Sequence, residues 1–182
     1  MGNRLSRIAT RTGDDGSTGL GDGSRTTKDS LRIASLGEVD ELNSLLGVLL
    51  AEALPGEIFT LVRQIQNDLF DLGGELSIPG HSLVTATHLL RLDQALEQFN
   101  ATLPALREFI LPGGARPAAL AHLARAVARR AERSIVALAR HEAVKAPVIQ
   151  YLNRLSDLLF VLGRQLNRVG GGTDVLWTRE AQ

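Results

Sequence analysis

The chain has no cysteine among its 182 residues, which excludes disulfides, thiolate metal sites and a cysteine nucleophile together. It has no excess of either charge. Lys+Arg and Asp+Glu number 20 each, so no overall basic field draws it to nucleic acid or to an anionic membrane. A long hydrophobic run is also missing. No apolar stretch approaches the roughly 18 residues that span a bilayer, and the candidates, such as 45–51, are short pieces of amphipathic pattern. The opening Met1-Gly2-Asn3-Arg4-Leu5-Ser6 carries no apolar core of a secretion signal. These absences lead to the expectation of a soluble, cytoplasmic protein with no nucleic-acid and no membrane partner. The length suits one domain with a sizeable core.

From Leu31 onward the sequence falls into five apolar-periodic segments separated by Pro, Gly and polar breaks, with no sustained period-two alternation. The first covers 31–51, with Val39, Leu42, Leu45, Leu46 and Leu49 at helical spacing, and Leu54-Pro55-Gly56 stops it. The second covers 57–77 and is ended by Ile78-Pro79-Gly80. The third covers 86–101. The fourth, 117–141, opens on Pro117, a favoured first-turn residue, and the fifth, 147–169, runs into Gly170-Gly171-Gly172. The expected fold is all-α: an antiparallel five-helix bundle over 31–182, preceded by an extended glycine-rich segment over 1–30.

That opening segment cannot bury much apolar area, so it is either disordered or functional. Thr10-Arg11-Thr12-Gly13-Asp14-Asp15-Gly16-Ser17-Thr18-Gly19 offers a polyphosphate glycines that let backbone N–H groups approach, hydroxyl donors and a fixed cation. Asp14 and Asp15 fit an anion site only if a divalent cation shares it or if they orient donors. No Gly-Lys-Ser/Thr and no Gly-x-Gly-x-x-Gly after a strand is present, so neither a Walker loop nor a dinucleotide fold is indicated. The fourth segment holds Arg125, Arg129, Arg130, Glu132 and Arg133, of which 125, 129 and 132 or 133 recur about one turn apart. Such a stripe is either a solvated face neutralised by Glu132 or a site that meets an anion. Asn153, Arg154 and Asp157 are polar groups in the apolar fifth segment. The Asn153 amide could read an adenine edge or a ribose hydroxyl, or make a core hydrogen bond. Asp40, in Glu38-Val39-Asp40-Glu41, reads most simply as a surface acid near a helix start. Phe109-Ile110-Leu111-Pro112-Gly113-Gly114 is an apolar patch running into a turn. None of the four histidines follows a Glu by three positions, so the paired ligands of a di-iron bundle are absent.

Five blocks, in order, resemble the PduO-type ATP:cob(I)alamin adenosyltransferases: residues 10–18, Gly37-Glu38-Val39-Asp40-Glu41-Leu42-Asn43, residues 109–114, Arg129-Arg130-Ala131-Glu132-Arg133 and Asn153-Arg154-Leu155-Ser156-Asp157. The resemblance implies a homotrimer of helical bundles with sites between subunits, ATP and cobalamin as substrates and Mg²⁺ as cofactor. It further implies a flavin-dependent reductase and a cobalamin-dependent enzyme as partners. It makes 1–30 an ATP-binding segment. Residue by residue, it implies ATP contacts from Thr10, Arg11, Thr12, Gly13, Thr18, Gly19, Lys28, Arg129, Arg130, Glu132, Arg133 and Asn153. Asp40 and Arg125 would pair across the subunit boundary, and Phe109 would pack near the lower face of cobalt. Arg11 stands where the family more commonly has Lys, which keeps the charge and changes the geometry. The implied reaction is displacement of triphosphate from ATP C5′ by Co(I), which needs no protein nucleophile. A second reading is a non-catalytic ATP-binding trimer that carries cobalamin to a partner.

Overall fold

The structure is a computed structural model that describes residue 9 and residues 11–179. Thr10 lies outside the described residues. The elements run β1 (Ser17–Gly19), β2 (Arg25–Thr27), α1 (Leu31–Leu50), α2 (Gly56–Ser77), α3 (Ala86–Asn100), α4 (Arg116–Ala139) and α5 (Ala146–Val169). All five helices fall within two residues of the expected bounds, because their ends are chemically marked. Ser30 caps α1 by accepting from Ile33 N. Thr85 and His88 form a reciprocal capping box on α3. Pro117 and Pro147 occupy first-turn positions of α4 and α5, where the missing N–H costs nothing.

Helix α1 packs on α2 and α4, α4 on α5, and α5 on α3. Leu42, Leu46, Leu155, Leu159 and Ile135 are fully enclosed in the resulting core, each contributing roughly 1.5–3 kcal/mol by leaving water. One polar network crosses it. Tyr151 Oη donates to Asp68 Oδ2 at 3.0 Å, and Asp68 also accepts from Arg91 and Gln64. Burial, then the Asp68 charge, raises the Tyr151 pKa well above its usual value, so the phenol remains a donor. Among the described residues, no helix is long and apolar enough to cross a membrane.

The glycine-rich segment, expected to be extended, folds over its described residues into a hairpin. Ser17–Gly19 and Arg25–Thr27 pair antiparallel in a small hairpin, with Thr18 opposite Thr26. A three-residue strand is too short for period-two alternation to register, and local turn chemistry sets it instead. Asp15 Oδ1 accepts from Ser17 N at 2.9 Å and Ser17 Oγ at 2.7 Å, and Asp22 does the same for Ser24. These bonds lower both carboxyl pKa values. The hairpin is moored to the bundle by Gly21 N donating to Ser77 O at 2.8 Å.

Candidate active site

Three surfaces of the bundle carry the residues singled out from the sequence, and α4 links two of them. The first is a groove of about 480 Å³ lined by Arg129, Glu132, Arg133, Val136, Ala137, Arg140 and Asn153. Helical spacing puts Arg129 and Arg133 on one face, and Arg133 Nη1 donates to Arg129 O at 3.1 Å. The groove therefore holds three guanidiniums against one carboxylate, a balance that favours an anion. Asn153 reaches it from α5, so this amide faces the groove and not the core. Arg130 does not line it. One residue round the helix, Arg130 is engaged by Glu38 and Glu41 of α1, and these bonds raise its pKa.

The second surface lies at the other end of the same stripe. Leu106, Arg107, Glu108, Phe109, Ile110, Arg125 and Phe160 surround a cavity of about 600 Å³. Phe109 is 78% exposed there, the opposite of the core position that an apolar patch suggests by default. Arg125 precedes Arg129 by one turn, about 6 Å along the axis. Its Nε is buried with no hydrogen-bond partner among the described residues. Burial, and then the Arg129 charge, lower its pKa.

The exposed aromatic is held by residues that sequence reasoning passed over. Trp177 N donates to Phe109 O at 2.7 Å, Leu111 N to Val175 O at 2.8 Å, and Ile110 bridges Leu176. Arg164, nearly buried, clasps Asp174 Oδ2 at 3.0 Å and Pro104 O at 2.8 Å, one on each side of the Phe109 segment. Asn167 accepts from Ala115 N and donates to Thr173 O. A Cβ at Gly114 or Gly172 would come within 2.3 or 2.4 Å of its Oδ1, so both positions require glycine. The available signal was two polar residues three apart in the apolar fifth segment, followed by glycines.

Behind Phe160, His122 is buried with its ring edge-on at 5.9 Å. Burial, then Arg125, lower its pKa against an opposing pull from Asp174. The unfolded chain therefore takes up this proton first as the medium is acidified. Stability contributed here is complete above about pH 6.5 and declines as pH falls below it. Urea midpoints measured from pH 7.5 to 5.5 should fall in the wild type and fall less in His122→Phe. Parallel curves would contradict the assignment.

The third surface is the outer face of α1 and α2, a groove of about 490 Å³ that includes Gly37, Asp40, Phe70 and Gly74. Asp40 is exposed with no hydrogen-bond or ion-pair partner among the described residues. Phe70 beside it is 74% exposed.

The hairpin region gathers the remaining candidates. A Cβ at Gly13 would lie 2.8 Å from Ser17 O and 3.2 Å from Lys28 Nζ, so the loop is closed tightly under the lysine. Arg25 Nη2 donates to Thr12 O at 2.8 Å. Arg11 is the one non-glycine residue with positive φ, 60°, among the described residues, a conformation that stores about 1–3 kcal/mol. Thr18 and Gly19 lie on β1. No residue of 11–30 lines either α4 cavity. Among the described residues of one chain, then, the loop around Gly13 and the arginine groove share no lining residue. Among the described residues no cluster of three or more His, Asp or Glu could hold a metal on its own.

The cobalamin adenosyltransferase family profile matches residues 8–166. The chain is 63% identical to the cobalamin adenosyltransferase of Cupriavidus metallidurans over the full length of both proteins. It is 43% identical to the corrinoid adenosyltransferase of Bacillus subtilis, over 96% of this chain and 94% of that one. Its fold superimposes with a TM-score of 0.90 on a variant PduO-type ATP:corrinoid adenosyltransferase from Lactobacillus reuteri complexed with cobalamin and ATP, at 34% identity, covering 97% and 98% of the two chains. The chain belongs to the cobalamin adenosyltransferase family.

Proposed function

We propose that this protein transfers the 5′-deoxyadenosyl group of ATP to cob(I)alamin, forming adenosylcobalamin and inorganic triphosphate. One observation carries the reading: α4 runs continuously from the aromatic cavity at Phe109 and Arg125 into the arginine groove at Arg129 and Arg133. A corrin in the first and a triphosphate in the second would meet near Arg125 to Arg129. Co(I) donates its electron pair to C5′, the C5′–O bond breaks, and triphosphate departs with that bond's electrons while cobalt becomes formally Co(III). The chain's own tasks are placement and charge, with Arg129 and Arg133 stabilising the leaving group. Mg²⁺ asks for few protein ligands when phosphates supply its oxygens, and Glu132 is the groove carboxylate able to hold it. When bound, it would neutralise charge on the triphosphate.

The active unit is a homotrimer in which the segment 1–30 of one subunit closes on the arginine groove of the next. Three incomplete features support this: a phosphate cradle without the groove's arginines, Asp40 without a base, and Arg125 with an orphaned Nε. Thr10, Arg11, Thr12, Gly13, Thr18, Gly19 and Lys28 then serve the neighbour's ATP. Electrons come from a flavin-dependent reductase, and a cobalamin-dependent enzyme takes the product. Relatives named for adenosyl transfer do not favour the non-catalytic carrier.

Anaerobic incubation with ATP, Mg²⁺ and chemically reduced cobalamin should yield light-sensitive adenosylcobalamin and triphosphate. ATP binding without either product would reject the reading. Asp40→Asn and Arg125→Ala should each lower kcat/KM about 30-fold, roughly 2 kcal/mol for leaving one partner of a desolvated pair alone. The double variant should be no worse than either single one. Additive losses would show that the two residues act separately.

A further inference from the structure

We infer that Arg32 is the positioning residue of the phosphate cradle, because it fixes the end of α2 on which the hairpin rests. This rests on the adenosyl-transfer reading above, in which the opening segment of one subunit serves the ATP of the next. Arg32 lies in the first turn of α1 and is 5% exposed. Local helix physics argues against a cation there, since it opposes the dipole at the N-terminus and loses solvation on burial. Tertiary bonds offset both costs. Arg32 Nη1 donates to Leu76 O at 2.6 Å, while Nε and Nη2 donate to Glu142 Oε2 at 2.9 and 2.6 Å. One guanidinium thus joins the start of α1, the last turn of α2 and the turn between α4 and α5.

The hairpin leans on two of those pieces. Ser77, one residue beyond Leu76, accepts from Gly21 N at the hairpin turn at 2.8 Å. A Cβ at Gly21 would lie 2.7 Å from Ile78 Cγ1 and 2.9 Å from Ser77 Oγ, so the turn sits directly on the end of α2. The other end of the hairpin runs through Lys28 and the capping residue Ser30 into α1. Lys28 N donates to Gly16 O at 2.9 Å and closes the loop around Gly13. The two supports of the cradle, the end of α2 and the start of α1, are therefore the two elements that Arg32 ties together. A shift of the α2 end carries the hairpin turn with it, and the loop amides and Lys28 then lose their alignment on a triphosphate. Arg32 lines neither α4 cavity and acts through Leu76 and Ser77.

Arg32→Lys keeps the charge and loses the fork that reaches Leu76 and Glu142 together. It should raise the KM for ATP and the inhibition constant of tripolyphosphate about fivefold each, with kcat within about threefold. Hydrogen exchange at the Gly21 amide should quicken about tenfold. A role in folding alone would lower the active fraction, and with it kcat, and leave both constants in place. Gly21→Ala, which pushes the turn off α2 while Arg32 stays intact, should give the same rise, and the double variant should be no worse than either single one. Should Arg32→Lys not fold, Glu142→Ala, which removes the half-exposed partner, should show the same split at about twofold or more. Unchanged constants in whichever variant folds, or additive losses in the double one, would overturn the assignment. Wild-type protein is assayed first for adenosylcobalamin. If none forms, the adenosyl-transfer reading fails, while tripolyphosphate affinities by calorimetry on the same proteins still decide Arg32.

Discussion

Replacing Arg129 with alanine should lower kcat with preformed Co(I) by at least 100-fold, about 3 kcal/mol of barrier, the scale of losing one preorganised donor to developing negative charge. The reason is positional. Arg129 is the groove arginine closest along α4 to the Phe109 cavity, and its side chain is exposed and forms no ion pair among the described residues. Charge on the bridging oxygen grows only as C5′–O breaks, so this contact is stronger in the transition state than in bound ATP. The effect should fall on kcat more than on KM. Arg129→Lys should lie between, because a point charge replaces a two-pronged donor. Single-turnover spectra of adenosylcobalamin formation under anaerobic conditions give the comparison. Wild-type turnover in Arg129→Ala would remove it from the mechanism.

Phe109→Ala should behave differently, and the difference identifies its task. Co(II) resists reduction while its lower axial ligand stays in place, and on the proposed reading an apolar wall at Phe109 would exclude dimethylbenzimidazole and water and make Co(I) accessible. Phe109 projects from a segment held by Arg164, Asn167 and the C-terminal residues, so truncation removes the ring and leaves its support. With Co(II)alamin and a reduced flavin, the rate should fall by about 100-fold or more, whereas with preformed Co(I) it should stay within about tenfold. The KM for ATP should not move. Equal losses with both cobalamins would assign Phe109 to general packing.

The helices were legible because their boundaries are written in single residues. Pro55-Gly56, Pro79-Gly80, Pro117, Pro147 and the Gly170 triplet each answer a backbone requirement that is local, and local requirements survive without tertiary information. The arginine groove was partly legible for the same reason: i, i+4 spacing fixes a face. Spacing does not say which neighbour a face meets. Arg130 sits among the same motif residues yet turns to Glu38 and Glu41, acids brought close by α1 packing on α4. Asp40 looked like a surface acid, and in one chain it is exposed. Asp40 and the orphaned Nε of Arg125 lie on different surfaces, so spacing along the sequence could not pair them. The clasp of Arg164 and Asn167 depends on contacts to Pro104, Ala115, Thr173 and Asp174, and long-range contacts of this kind leave no periodic trace.

On the proposed reading, each site is built from the cradle of one subunit and the arginines of another. Co-expression of two inactive variants tests it directly: Arg11→Ala with Lys28→Ala in one chain, Arg129→Ala in the other. Random mixing in a closed ring places an intact cradle against an intact groove at roughly a quarter of the boundaries. Adenosylcobalamin formation should therefore return to about that fraction of the wild-type rate, with each variant alone remaining inactive. Mixed assemblies as inactive as their parents would mean that cradle and groove belong to the same chain.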